Sequence, residues 1–313
     1  MDEHKPVLVD AVLEALAVRP DGCYVDATFG RGGHSERILA ALGPRGRLVA
    51  IDRDQAAIDA GRARFASEPR LTLVHGAFGD LAALLARAQP QCALYHGILI
   101  DCGVSSPQLD DPARGFSFRN DGPLDMRMDA QHGEPVSDWL ARATLEEMRG
   151  VIASLGQERY ARRIALAIER ERAERPLLRT RQLAELIERA VPTREPGKHA
   201  ATRTFQALRM WINDELGQLR RALEQAVPLL APGGRLAVIS FHSLEDGVVR
   251  DYFARHSSVA PELARLPIVP PSARPRLRLV GRKQRASAAE VAANPRARSA
   301  LLRVAAAVEA EPA

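Results

Sequence analysis

The chain has 313 residues, 46% of them hydrophobic, which is enough for a substantial core and excludes global disorder. Its 44 basic and 39 acidic side chains leave a net charge of +5, and no apolar run approaches the roughly 20 residues that cross a bilayer. The acidic stretch Met1–Pro6 lacks the basic-then-apolar layout of a signal peptide, and Cys23, Cys92 and Cys102, odd in number and scattered, argue against a disulfide framework or a zinc site. The expectation is a cytoplasmic globular protein of one large or two modest domains.

From residue 20 to 101 a short apolar run, a turn and a helical stretch recur. Residues 23–27, 47–51, 71–74 and 97–100 read as strands, with helices over about 35–42, 55–65 and 81–88 between them. Continuous apolar strands alternating with helices of this size predict a doubly wound, parallel α/β sheet covered on both faces. Residues 103–135 then break the rhythm with Gly, Pro, Asp and Ser, a loop long enough to be functional or disordered. Helical periodicity fills 137–190 and stops at the break Pro192–Gly197; one long helix is predicted over about 203–230. Residues 235–240 form another apolar strand, and the segments 277–280 and 300–304 fit a closing antiparallel pair. The sheet domain is therefore expected to be discontinuous, 1–112 and 209–313, with a helical insertion over 113–208.

Ligands of such sheets bind beyond the carboxyl ends of the strands. The first end carries Gly30, Gly32, Gly33 and His34, where glycines let the backbone approach a ligand at a helix start. The second ends in Asp52, placed to accept from both hydroxyls of a ribose. This pair leaves two cofactors open, a nicotinamide dinucleotide or S-adenosylmethionine. Phe78, after the third strand, is a candidate to cover an adenine. The fourth strand ends in Asp101, followed by Ser105 and Ser106, acceptors suited to orienting a poorly nucleophilic exocyclic amine.

Seven segments together carry a resemblance. They are Thr28–Ser35 (TFGRGGHS), Gly103–Asp110 (GVSSPQLD), Arg114–Arg119 (RGFSFR), Gly122–Asp129 (GPLDMRMD), Ala201–Arg209 (ATRTFQALR), Ser240–Asp246 (SFHSLED) and Asn294–Ser299 (NPRARS). In this order they resemble the bacterial ribosomal RNA small subunit methyltransferase H family, also called MraW, nearly end to end. The resemblance implies a class I, Rossmann-like S-adenosylmethionine-dependent methyltransferase sheet interrupted by a helical substrate domain. It implies methyl transfer to N4 of one cytidine in the decoding region of 16S rRNA, with S-adenosylhomocysteine as product. By motif position it implies cofactor contacts at Gly32, Gly33, His34, Asp52, Phe78, Asp101 and Gln108. Cys102, Ala200 and Ala286 depart from the family pattern, none at a polar site residue.

Charge is segregated along the chain. Residues 1–150 carry 16 basic and 22 acidic groups, whereas 151–220 carry 14 and 9, and 251–313 carry 11 and 5. Arg159, Arg162, Arg163, Arg170 and Arg172 follow helical spacing, and Arg274, Arg276, Arg278, Arg282, Lys283 and Arg285 cluster late; both groups are candidates for rRNA backbone contact. Phe116 or Phe118 is a candidate base-stacking platform, or else a core anchor. His242 is an alternative site residue at the resumed strand's end, unless Ser240 and Ser243 merely cap the next helix. The eight histidines form no HExxH or Cys/His cluster, so no metal is expected. The expected partner is 16S rRNA or the small ribosomal subunit, with no membrane, and a homodimer is left open.

Overall fold

Each of the four early apolar runs is a strand in the computed structural model, which describes residues 6–88, 92–193, 197, 199–270 and 273–308. They are β1 (Cys23–Asp26), β2 (Arg47–Asp52), β3 (Leu71–His75) and β4 (Tyr95–Asp101). β5 (Leu230–Ser240), β6 (Leu277–Leu279), β7 (Gln284–Arg285) and β8 (Leu301–Ala307) join them in one sheet of order β3-β2-β1-β4-β5-β8-β6, with β7 also on β8. β1 to β5 are parallel, while β8 runs antiparallel to β5, β6 and β7. This is the doubly wound α/β sheet expected, closed by an antiparallel pair. β7 is a two-residue addition too short to show a period.

Alternation explains why both faces are covered. Tyr24, Leu48, Leu99, Ala237 and Ile239 point to one side, into a core shared with Val12 and Leu16 of the helix Val9–Leu16 and Ile38 and Leu39 of the helix Gly33–Ala41. Val25, Val49, Ile98, Ile100 and Val238 point to the other, against the helices Leu81–Ala88, Glu215–Leu229 and Ser243–Ser257. A side chain such as Ile98 or Leu99, fully buried, contributes about 1.5–3 kcal/mol. Strand order reverses at β1, which pairs β2 on one side and β4 on the other. The carboxyl ends of β1 and β4 therefore flank the crevice where such sheets take ligands.

Two expectations are corrected. Cys23 and Cys92 are joined as a disulfide with Cα atoms 6.2 Å apart, and Cys102 is the buried free thiol. They are 69 residues apart, but β1 lies directly beside β4, so the start of one strand meets the approach to the other. Nor is there one helix over 203–230. It divides into Thr202–Ile212 and Glu215–Leu229, because Asp214 takes the left-handed conformation (φ +47°) and buried Asn213 turns its amide to other partners.

The chain divides into two compact units, Met1–Gly103 with Leu216–Ala313, and Val104–Glu215. In the second, the helices Val136–Arg142, Leu145–Gly156, Ala161–Glu174, Thr180–Ala190 and Thr202–Ile212 enclose a core that includes Trp139, Met148, Ile152, Ile164, Leu183 and Phe205. The Gly- and Pro-rich loop is pinned into this core by Phe116, Leu124, Met126 and Met128. Asn213 Nδ2 donates to the Met126 carbonyl at 2.7 Å, and its Oδ1 accepts the Met128 amide at 2.8 Å. Arg194, Glu195 and Pro196 of the predicted break, and Met1–Lys5, lie outside the described residues. Among the described residues no helix is long and apolar enough to cross a membrane.

Candidate functional site

The chain leaving β1 turns through Gly30 (φ +56°) and Gly32 (φ +76°), conformations that side-chain-bearing residues rarely adopt. A Cβ at Gly32 would also lie 2.8 Å from the rings of Phe29 and Phe65. Gly33 then opens the helix Gly33–Ala41. Asp52, at the end of β2, is tied into this turn: its Oδ2 accepts the Gly30 amide at 2.7 Å and its Oδ1 accepts the Asp54 amide at 2.8 Å. Burial pushes the Asp52 carboxyl up to about 6, against the pull of those two amides.

At the crevice itself three titratable groups converge. Asp26, at the end of β1, is fully buried; its Oδ2 accepts the Ser35 hydroxyl at 2.7 Å and its Oδ1 the Thr28 amide at 3.2 Å. Asp101, at the end of β4, donates its backbone N–H to Thr28 Oγ1 at 2.7 Å. His34 places Nε2 3.5 Å from Asp101 Oδ2, within ion-pair reach but outside hydrogen-bond geometry. Asp101 Oδ1 is buried with no hydrogen-bond partner among the described residues. Burial raises the Asp26 carboxyl above its ordinary range, and His34 and Ser35 draw it back.

Phe78 begins a single 3-10 turn after β3 and is half-buried against the sheet core. Its position is set by Gly79, whose amide donates to Gln218 Oε1 at 2.9 Å and whose carbonyl accepts from Gln225. Gly32, Gly33, His34, Asp52, Phe78 and Asp101 all belong to the sheet unit. Ser105, Ser106 and Gln108 belong to the helical unit, at its first short helix, Ser106–Asp110. Ser105 is the N-cap there, and its amide donates to Gln108 Oε1 at 3.0 Å in a capping box; Ser106 and Gln108 are buried.

His242 is itself the cap of the next helix, the role for which Ser240 and Ser243 were the alternative. Its Nδ1 accepts the Glu245 amide at 3.3 Å, and Glu245 Oε2 accepts the amides of Phe241 and His242 at 2.8 and 3.3 Å. Phe116 is a core anchor, buried in the helical unit with the Arg114 guanidinium 5.8 Å from its ring. Phe118 is half-buried, stacked on His199 at 4.6 Å and edge-on to Phe205 at 4.9 Å. Arg172 is drawn inward to the Leu140 and Ala143 carbonyls, so it closes the helix Val136–Arg142, while Arg162, Arg163 and Arg170 stay exposed.

The roles of Asp26 and Thr28 were missed from sequence, although Thr28 opens a recognised motif. A short polar side chain at a strand end gives no signal of which neighbouring strand it will bind.

The comparisons with known proteins agree on one family. The sequence model of the MraW methylase family matches residues 1–308. The chain is 55% identical over 303 residues to the ribosomal RNA small subunit methyltransferase H of Halorhodospira halophila, covering 96% of this chain and 93% of that one. It is 56% identical over 304 residues to the protein of the same name from Thioalkalivibrio sulfidiphilus, covering 96% of each. This chain belongs to the MraW methylase family. The match runs through both units, so the glycine turn, the capping box after Asp101 and the Arg-rich helices all lie within the MraW methylase region.

Proposed function

We propose that this chain transfers a methyl group from S-adenosylmethionine to the exocyclic N4 amine of one cytidine in the decoding region of 16S rRNA, in the cytoplasm, leaving S-adenosylhomocysteine. The observation that carries the reading is the Asp101 carboxylate, held at the switch point with one buried oxygen unpartnered among the described residues, next to the glycine turn bonded to Asp52. The names of the relatives support rRNA as the substrate class.

The residues present fit the cofactor. Gly30 and Gly32 hold the turn in left-handed conformations, Asp52 offers a carboxylate for two ribose hydroxyls, and half-buried Phe78 lies just beyond β3. When bound, S-adenosylmethionine supplies a methyl group on a positively charged sulfur, an electrophile that needs no metal. The exocyclic amine of cytosine has its lone pair delocalised into the ring. An acceptor at Asp101 draws on its N–H bonds and favours the pyramidal geometry for in-line attack. The acidity of the nitrogen rises once it is methylated, so its proton leaves to water without a strong base on the chain.

The helical unit is assigned to the RNA. Arg162, Arg163 and Arg170 are exposed there, and Arg274, Arg276, Arg278, Arg282, Lys283 and Arg285 are exposed on the sheet unit around β6 and β7. Mass spectrometry of 16S rRNA from cells lacking the gene tests the reading. Loss of N4-methylcytidine at one decoding-region position is expected, and an unchanged signal would sink it.

A further inference from the structure

One imidazole sits between two acidic side chains at the crevice. His34 is the second residue of the helix Gly33–Ala41; its ring is almost wholly buried and neither ring nitrogen has a hydrogen-bond partner among the described residues. On one side Asp26 is already spent, both of its oxygens accepting from Ser35 and Thr28. On the other, Asp101 has its backbone fixed by Thr28 Oγ1, its Oδ2 3.5 Å from His34 Nε2, and its Oδ1 buried and unpartnered. Glu290, from the helix Ala288–Ala293, adds a third negative charge acting on the same ring.

A buried carboxylate oxygen without a donor is costly to keep, which points to a donor that arrives with a ligand. We propose that His34 is a positioning residue, whose charged ring holds Asp101 by Oδ2 so that Oδ1 is kept for an incoming N–H donor. That donor is the cofactor's ammonium group or the target's exocyclic amine. The inference rests on the methyl-transfer reading above. Burial opposes the charged imidazole, but Asp101, Asp26 and Glu290 together outweigh it and hold its pKa above the ordinary 6.5. The ring therefore keeps its charge to higher pH than a free histidine. Losing that charge as pH rises releases Oδ2 and lets the carboxylate turn.

The test uses the full chain as wild type, His34→Gln and Asp101→Asn. NMR of the histidine rings gives the protonation midpoint of His34, calorimetry gives S-adenosylmethionine affinity, and methyl transfer is followed on small ribosomal subunits lacking the modification. In the wild type the His34 ring is expected to titrate above 6.5, and in Asp101→Asn its midpoint falls. Wild-type kcat/KM should decline as pH rises through that midpoint. His34→Gln should lack this limb and be slower by on the order of ten- to a hundredfold, the worth of a hydrogen bond or ion pair to a charged group. If the donor is the cofactor's ammonium, His34→Gln weakens cofactor affinity by that factor; if it is the target amine, affinity holds and kcat falls. A His34 midpoint at or below 6.5, or a His34→Gln enzyme with wild-type rate and pH profile, overturns the proposal. The NMR titration decides even where His34→Gln fails to fold. A wild-type protein that methylates nothing defeats the functional reading, while the titration still tests the pair.

Discussion

The amide of Gly30 donates to Oδ2 of Asp52 across 2.7 Å, joining the turn after β1 to the end of β2. The glycine turn and the strand-end acid are therefore one hydrogen-bonded unit. The cost is a buried carboxylate, and that cost sets a pH dependence.

Asp52 is raised from 3.8 to about 6, so between those values the folded protein holds a proton that the unfolded chain has lost. This group's contribution to stability is fully present below the lower value and is lost as pH rises through the upper one. Cofactor binding runs the other way, because ribose hydroxyls donate to the ionised form. Calorimetry should find affinity weakening by about tenfold per pH unit below about pH 6. Asp52→Asn should bind weakly with no such slope, and a wild-type affinity independent of pH between 5 and 7 would contradict the role.

Gly32→Ala forces a non-glycine residue to φ +76° and drives its Cβ into the Phe29 and Phe65 rings. A loss of about 1–3 kcal/mol in urea unfolding is expected, with weaker cofactor binding. Gly247→Ala, at a helical position with nothing near a new Cβ, is the control and should not be destabilised.

Asp101→Asn should lower methyl transfer far more than His242→Ala. His242 caps the helix Ser243–Ser257, so its removal costs stability of about 1 kcal/mol rather than chemistry. Single-turnover assays on the two variants, compared with their melting temperatures, separate these effects. A larger rate loss with His242→Ala would reverse the assignment.

Asn213→Ala removes a buried amide that bonds the Met126 carbonyl, the Met128 amide and the Arg209 carbonyl. Leaving the Met126 carbonyl and Met128 amide without this partner should cost about 2–4 kcal/mol, measured as a lower urea midpoint. Hydrogen exchange should rise first at Met128, whose amide loses its acceptor.

Phe116 and Phe118 show where legibility ended. Both stand in one polar, glycine-broken motif, and nothing in their spacing separates a platform from an anchor. Burial does: Phe116 is closed into the helical unit's core, and Phe118 keeps part of its ring beside His199. Arg172 likewise shares the helical spacing of Arg162 and Arg163, yet its Nη1 donates to two carbonyls at a helix end.

The sequence by itself determined the doubly wound sheet, because apolar runs such as Leu48–Ile51 have to be buried on both faces and the helices between them supply the cover. It also determined the glycine turn, since its left-handed positions favour glycine, and put the acid Asp52 at the end of β2. Only the tertiary structure decided that Cys23 meets Cys92, that the long helix stops at Asn213, and that His34 comes within 3.5 Å of Asp101. Each of these depends on which strands and loops become neighbours. That is a property of strand order and packing, and local residue patterns do not encode it.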